Sequence, residues 1–156
     1  MGDSLHQGGK FYICETSQET DLLQAAFELL TWVEVENIVS IPELSISENI
    51  VERNYLDSDI VGIRKGMKVG AESSLEVGFD STKSGQAAVR TASATKFKYA
   101  VKRELNDIAS GGSTNTILYS RALVTQPTLA GGGAEDEAND TFTIKVAQVP
   151  IRVLAT

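Results

Sequence analysis

Histidine and cysteine each occur once, as His6 and Cys14, and the chain has one tryptophan and three prolines. These scarcities exclude several chemistries. A Ser–His or Cys–His mechanism needs an imidazole oriented by a third group, and His6 stands in the polar, glycine-containing start Met1–Gly9. Zinc sites built on Cys and His are excluded by number within one chain. One cysteine forms no internal disulfide, so nothing implies an oxidising compartment. Beside Phe11-Tyr12-Ile13, Cys14 reads as a small core residue rather than a reactive thiol. No run approaches the ~18 apolar residues of a membrane span. The start lacks the basic-then-apolar order of a secretion signal, and His6 stands where a myristoylation motif needs Ser or Thr. The expectation is a protein made and kept soluble in the cytosol.

Basic residues are also in deficit: 14 Lys and Arg against 21 Asp and Glu leave a net charge of −7. A protein that grips nucleic-acid phosphates needs clustered cations, so that class is disfavoured. The one basic cluster, Lys96, Lys98, Lys102 and Arg103, reads as a wet strand face or an intersubunit ion-pair row. Its lysines would also guard a sheet edge against uncontrolled pairing. Asp57-Ser-Asp59 with Gly62 starts like a calcium loop, but Val61 and Lys68 stand where ligands belong. Gly62, Gly66 and Gly70 lack the Gly-Lys-Ser/Thr of a phosphate loop. The acidic run Glu135-Asp136-Glu137 reads as a solvated loop. No catalytic residue, metal ligand or cofactor site is expected.

What is present is alternation. Hydrophobic content of 42% and a length of 156 residues suit one domain that buries roughly 68–70% of its unfolded surface. After an arm at residues 1–9, Lys10–Glu15 reads as a strand. Residues 21–30 read either as a short helix capped by Asp21 or as an ordered loop pinned by Phe27 and Leu30. In Thr31–Ile41, Val33, Val35, Val39 and Ile41 share one parity, and Trp32, Glu34 and Glu36 the other. Asp80–Ser84 offers helix caps before the alanine-rich helix expected over Gln86–Ala94. Strands follow at Lys96–Leu105, Thr116–Thr128 and Thr141–Leu154. The last slips phase around Gln148–Pro150, as a bulge or crossover would. Many strands and one convincing helix predict a mainly β sandwich or barrel with one flanking helix.

The chain is organised around Leu44–Asp80. Leu44, Ile46, Ile50 and Val51 carry an outbound apolar signal, and Leu75, Val77 and Phe79 an inbound one. Asn54–Gly70 lies between, too long for a hairpin turn and too apolar for a plain linker. A loop of that length is functional or disordered, and its apolar content predicts docking against another chain.

From Leu30 onward the sequence resembles the major tail tube proteins of long-tailed (siphovirus-type) bacteriophages. The resemblance is carried by Thr31-Trp-Val-Glu-Val-Glu-Asn-Ile-Val-Ser-Ile-Pro42 and by Leu75-Glu-Val-Gly-Phe-Asp80 leading into Gly85-Gln-Ala-Ala-Val-Arg90. Tyr119-Ser-Arg-Ala-Leu-Val124, Asp140-Thr-Phe-Thr-Ile-Lys145 and Val149-Pro-Ile-Arg-Val153 continue it. It implies a non-enzymatic virion protein forming stacked hexameric rings, a channel for genome ejection. The long loop, about residues 48–70, would reach the next ring through Asn54, Tyr55, Asp57, Asp59, Arg64, Lys65 and Lys68. Terminal arms would add contacts. Acidic residues in the channel would repel DNA phosphates, and Glu34, Glu36, Glu72 and Glu76 are the candidates to line it. Implied partners are further copies of the chain and tail tip, tape measure and tail terminator proteins. DNA would pass without specific binding, and no membrane contact is expected along the tube. Assembly would occur in the host cytoplasm, and the product would reside in the virion. The rival readings are a tube protein of a contractile or type VI secretion apparatus and a small β-sandwich decoration module.

Overall fold

A computed structural model describes residues 7–108 and 110–156; His6 and most of the expected 1–9 arm lie outside the described residues. The first half comprises β1 (Lys10–Ser17), α1 (Gln24–Glu28), β2 (Trp32–Val35), β3 (Ile38–Ser40), β4 (Ile46–Arg53), β5 (Gly62–Gly70) and β6 (Glu72–Gly78). The second comprises α2 (Ser84–Ser93), β7 (Lys98–Glu104), β8 (Ile117–Val124), β9 (Thr128–Leu129), β10 (Asn139–Val146) and β11 (Ile151–Val153).

Nine strands form one sheet, in the order β2-β1-β7-β8-β10-β6-β3 with β9 on β10 and β11 on β8. Its two ends are halves of a single strand. Asn37, at φ 59, breaks that strand after Val35; asparagine is one of the few residues that adopts such a conformation readily. The first half pairs with β1 and the second with β6. The sheet is thereby joined to itself and closes as a barrel, which leaves few open edges.

Alternation places the core inside. Phe11 and Ile13, Val101, Leu75 and Val77, and Phe142 and Ile144 are all essentially inaccessible and belong to one cluster. Helix α2 packs across β1, β2 and β8 and adds Ala88, Val89 and Ala92. Gly85 permits this approach, because a Cβ there would collide with the carbonyl oxygen of Glu34. A smaller cluster on the opposite sheet face gathers Phe27, Cys14, Ala100 and Tyr119, with Leu22, Leu30 and Trp32 against it. Phe27 stacks on Tyr119 at 5.3 Å between ring centroids.

Each break in the barrel wall is closed by a buried glutamine. At the β2–β3 break, Gln86 of α2 donates to the carbonyls of Glu36 and Gly78 and accepts from the Asp80 N–H, at 2.9–3.1 Å. At the β10–β11 break, Gln148 accepts from Leu22 N–H and Arg121 Nε and donates to the Leu22 carbonyl. Its own carbonyl accepts from the Ser120 hydroxyl. Backbone groups freed by a broken ladder are costly when buried, and these two amides satisfy them. Arg121, buried in the wall, is neutralised by Asp21 and donates to the Gln18 carbonyl.

Several expectations are corrected. Val39 is exposed, because Asn37 shifts the phase and turns Ile38, not Val39, toward the core. The basic cluster guards no edge, since β7 is interior, between β1 and β8. Asp80 does not cap α2. Its carboxylate accepts from Thr82 N–H and hydroxyl, building the turn before the helix, while the cap position, Lys83, makes no side-chain cap bond. Those two bonds hold the Asp80 carboxyl below its ordinary pKa. Residues 21–30 contain the short helix α1.

Candidate functional site

The expected central loop is a hairpin. β4 and β5 pair from Ile46↔Gly70 to Arg53↔Gly62, with a bulge between Glu48 and Ile50, as a separate two-stranded sheet. Only residues 54–61 are irregular. The expectation of a loop through Gly70 fails because its glycines have local tasks within strands. Gly66 sits at the bulge, where a Cβ would press on the Asn49 carbonyl and Val51. Gly70 crosses the end of β10, where a Cβ would collide with the Val146 carbonyl. Hydrogen bonds from Ala71 N to Ser45 O and from Val146 N to Ala71 O fix the root beside it.

Beyond that root the arm stands free of the barrel. Nearly every residue of β4 and β5 is exposed, including Ile50, Val51, Ile63 and Met67, while Leu56 at the turn is fully open. A lone two-stranded hairpin is marginally stable in water, and an apolar surface of this kind marks an interaction site. The seven predicted contact residues are brought together here. Asn54, Tyr55, Asp57 and Asp59 occupy the turn, and Arg64, Lys65 and Lys68 lie on β5. Lys65 reaches Glu48 across the strands at 3.8 Å, an exposed pair worth little by itself.

The apolar content of residues 54–70 points to this surface, but that of β4 before it does not. Ile50 and Val51 read as a core-bound strand, yet they point to opposite faces of the arm beside Glu52 and Arg53. Charges on both parities were the available signal, because a strand with one buried face keeps that face apolar.

The four candidate channel carboxylates do not form one group. Glu72 and Glu76 share the outer face of β6, opposite Lys145 and Thr141 of β10. Glu72 pairs with Lys145 at 4.0 Å, and Glu76 accepts from Asn139 Nδ2 at 3.1 Å. With Ser74 and Thr143 they make that face polar throughout. Glu34 lies on β2 opposite Tyr12, and Glu36 pairs with Lys83 at 3.3 Å.

The basic cluster is dispersed as well. Lys102 is half-buried, 4.2 Å from the Tyr12 ring centroid and 5.3 Å from that of Trp32. Burial lowers its pKa, with Glu104 opposing. Tyr12 donates to Glu104 at 3.3 Å; burial first, then Glu104 and Glu34, push its hydroxyl up to about 12. This is packing chemistry, with no open cleft around it. Among the described residues no group of three His, Cys, Asp or Glu side chains is placed to hold a metal ion, and no helix is long and apolar enough to cross a membrane.

No protein-family model matches the chain, and no curated protein matches it in sequence. Solved structures do. A chain from the cryo-EM structure of an extracellular contractile injection system, the PVC sheath/tube terminator in its extended state, aligns with TM-score 0.69 at 13% identity, covering 98% of both chains. A chain of the anti-feeding prophage baseplate aligns with TM-score 0.67 at 10% identity, over 99% of this chain and 97% of that one. The SPP1 tail tube structure aligns with TM-score 0.61 at 12% identity, over 97% and 81%. The resemblance read from the sequence thus holds in three dimensions, and the chain has the tail-tube fold.

Proposed function

We propose that the protein is a structural subunit of a phage tail tube, one domain with a projecting arm, which self-assembles into stacked hexameric rings. The observation that carries this reading is the arm: a hairpin with apolar side chains on both faces and, beyond its root, no strand partner among the described residues. A segment of that kind is stable in an assembly rather than in a monomer. Asn54, Tyr55, Asp57 and Asp59 at its turn and Arg64, Lys65 and Lys68 on its shank would meet the neighbouring ring. The fold shared with the SPP1 tail tube supports the same reading, and the inventory of side chains offers no catalytic constellation in its place.

The polar outer face of β6 and β10 is the best channel wall available. Glu72 and Glu76, with Ser74, Thr141 and Thr143 and with Lys145 paired to Glu72, would face DNA with a polar surface that does not stack on bases and on which carboxylates outnumber the one cation. Glu34 and Glu36 fit that role less well, since they stand apart from this face. Tail tip, tape measure and terminator proteins would be its partners in the virion.

A second reading, a tube or terminator subunit of a contractile injection apparatus, is favoured by the TM-score of 0.69 to the PVC terminator assembly. Electron microscopy of concentrated protein tests the shared claim. The intact chain should form tubes or stacked rings, and deletion of Tyr55–Lys68 should leave a folded protein that forms neither. Normal tubes from the deletion would remove the stacking role, and discrete rings from the intact chain would favour the injection-apparatus reading.

A further inference from the structure

The arm needs a receiving surface, and the charge pattern selects one. Residues 46–70 carry four cations (Arg53, Arg64, Lys65, Lys68) and four acids (Glu48, Glu52, Asp57, Asp59). The arm is therefore neutral, and the rest of the chain holds the whole net charge of −7. Within the arm the charges are sorted. Asp57 and Asp59 lie in the turn, Glu48 and Glu52 share one face with Ile63, Lys65 and Lys68, and the other face has Arg53 and Arg64, no acid, and exposed Val51 and Val69, with Met67 at the bulge opposite Asn49. The complement of that second face is an open surface that is apolar and acidic.

A cleft of about 480 Å³ beside the Asn37 break has that character. Ile38, Val39 and Phe79 supply its apolar part, and Asp80 and Glu137 its acids. Glu135 and Asp136 stand on the adjoining exposed turn. Val39 and Phe79 are about half exposed, so the apolar floor is uncovered in the monomer. Two cations stand beside it, each already engaged: Arg90, set against the Phe79 ring at 5.7 Å and facing Asp140, and Lys83, paired with Glu36 at 3.3 Å. The larger cleft, of about 720 Å³ between residues 7–9 and 38–43, is lined by one acid and one cation, Glu43 and Arg103. It offers no complement to a cationic face.

Position points the same way. Strand β6 begins at Glu72, next to the arm's root, and ends at Gly78 on the wall of the Phe79 cleft. Donor and receiver therefore lie at opposite ends of a seven-residue strand, about 23 Å apart at ~3.3 Å per residue. The eight residues of β4 project a comparable distance, about 26 Å. An arm that leaves one end of a molecule and enters the other end of the next makes a head-to-tail contact, which repeats without closing and builds a stack.

We propose that β5 of one copy docks in the Val39–Phe79–Glu137 cleft of a second copy, with Met67 and Val69 against the apolar floor and Arg64, beside Arg53 of β4, toward the acids. This rests on the self-assembly reading and supplies its acceptor. The test uses the full chain. A Met67→Cys copy is mixed with a Val39→Cys copy under mild oxidation, beside each variant alone. Only the mixture should yield the disulfide-linked pair. In parallel, Arg53→Glu with Arg64→Glu should raise the concentration needed for polymerisation at least tenfold. Glu135→Lys with Glu137→Lys on the same chain should restore most of that loss. Of these positions only Val39 and Glu137 line the cleft, both with exposed side chains, and unchanged melting of each variant shows that folding is intact. Polymers in which position 67 is captured elsewhere, or in which the charge swap fails to rescue, would overturn the acceptor and leave self-assembly standing. An intact chain that stays monomeric at every concentration would overturn both.

Discussion

The barrel and the arm are made from the same antiparallel ladders, yet they differ in what the ladders enclose. In the barrel, β6 presents Leu75 and Val77 to a closed core and Glu72, Ser74 and Glu76 to solvent. In the arm, one face alternates Ile50 and Ile63 with Glu52 and Lys65, and the other alternates Val51 and Val69 with Arg53 and Arg64. Backbone hydrogen bonds alone give modest net stability. The hydrophobic burial that makes a sheet persist is present in one region and absent in the other. The difference teaches that the barrel encloses a core of its own, whereas the arm beyond its root has none among the described residues.

Truncating a large apolar side chain in each region gives the widest separation. Phe142→Ala, at a position with no accessible surface, should cost about 3–5 kcal/mol by denaturant unfolding. Ile63→Ala on the arm should change monomer stability by no more than about 0.5 kcal/mol and act only on polymerisation. Similar losses at both sites would mean that the arm is packed in the free chain, and the contrast would be lost.

The next effect sharpens how the barrel is closed. Gln86→Leu keeps the side-chain volume but leaves two carbonyls and one N–H at the β2–β3 break without partners. A loss of about 1–3 kcal/mol is expected, and Gln148→Leu should behave alike at the other break. Ser47→Ala, which removes one exposed arm hydrogen bond of 3.4 Å, should leave melting unchanged. A neutral Gln86→Leu would show that water reaches the break.

These particular residues also show how far sequence reasoning reaches. Leu75–Val77 and Phe142–Val146 were legible because a half-buried strand writes its two faces into alternate residues. Barrel closure was not, since it depends on Asn37 alone, and asparagine is equally at home on any exposed turn. Gln86 and Gln148 were invisible for a related reason. A buried polar side chain matched to broken backbone has the same letter as a solvated one. The arm was located by its unusual length and apolar content, and its polar members were named. Its strand character was hidden by Gly62, Gly66 and Gly70, whose uses are a bulge and a close backbone approach rather than flexibility. Ile50 and Val51 were assigned to the core because a strand's apolar letters do not say whether its fold covers them or leaves them on the surface.

The smallest effect is a titration confined to the barrel. The Tyr12 hydroxyl is raised to about 12 by burial and by the neighbouring carboxylates of Glu104 and Glu34, whereas an unfolded chain ionises near 10. Since the folded value is the higher one, the unfolded state loses its proton first. Tyr12 therefore contributes stability that is present below pH ~10 and declines as pH climbs toward ~12. Lys102, lowered by its own burial, works in the opposite sense over its range, because there the unfolded state holds the extra proton. Tyr12 is only part-buried, so solvent screening trims its contribution to about 1 kcal/mol. Tyr12→Phe should flatten the alkaline decline in unfolding free energy by that amount, whereas arm deletion should leave the profile as it is in the intact chain. A profile that changes with the arm and not with Tyr12 would place the alkaline-sensitive group in the projecting hairpin. The barrel's second face, with its Tyr12–Lys102–Trp32 stack, would then contribute less to the monomer than its packing implies.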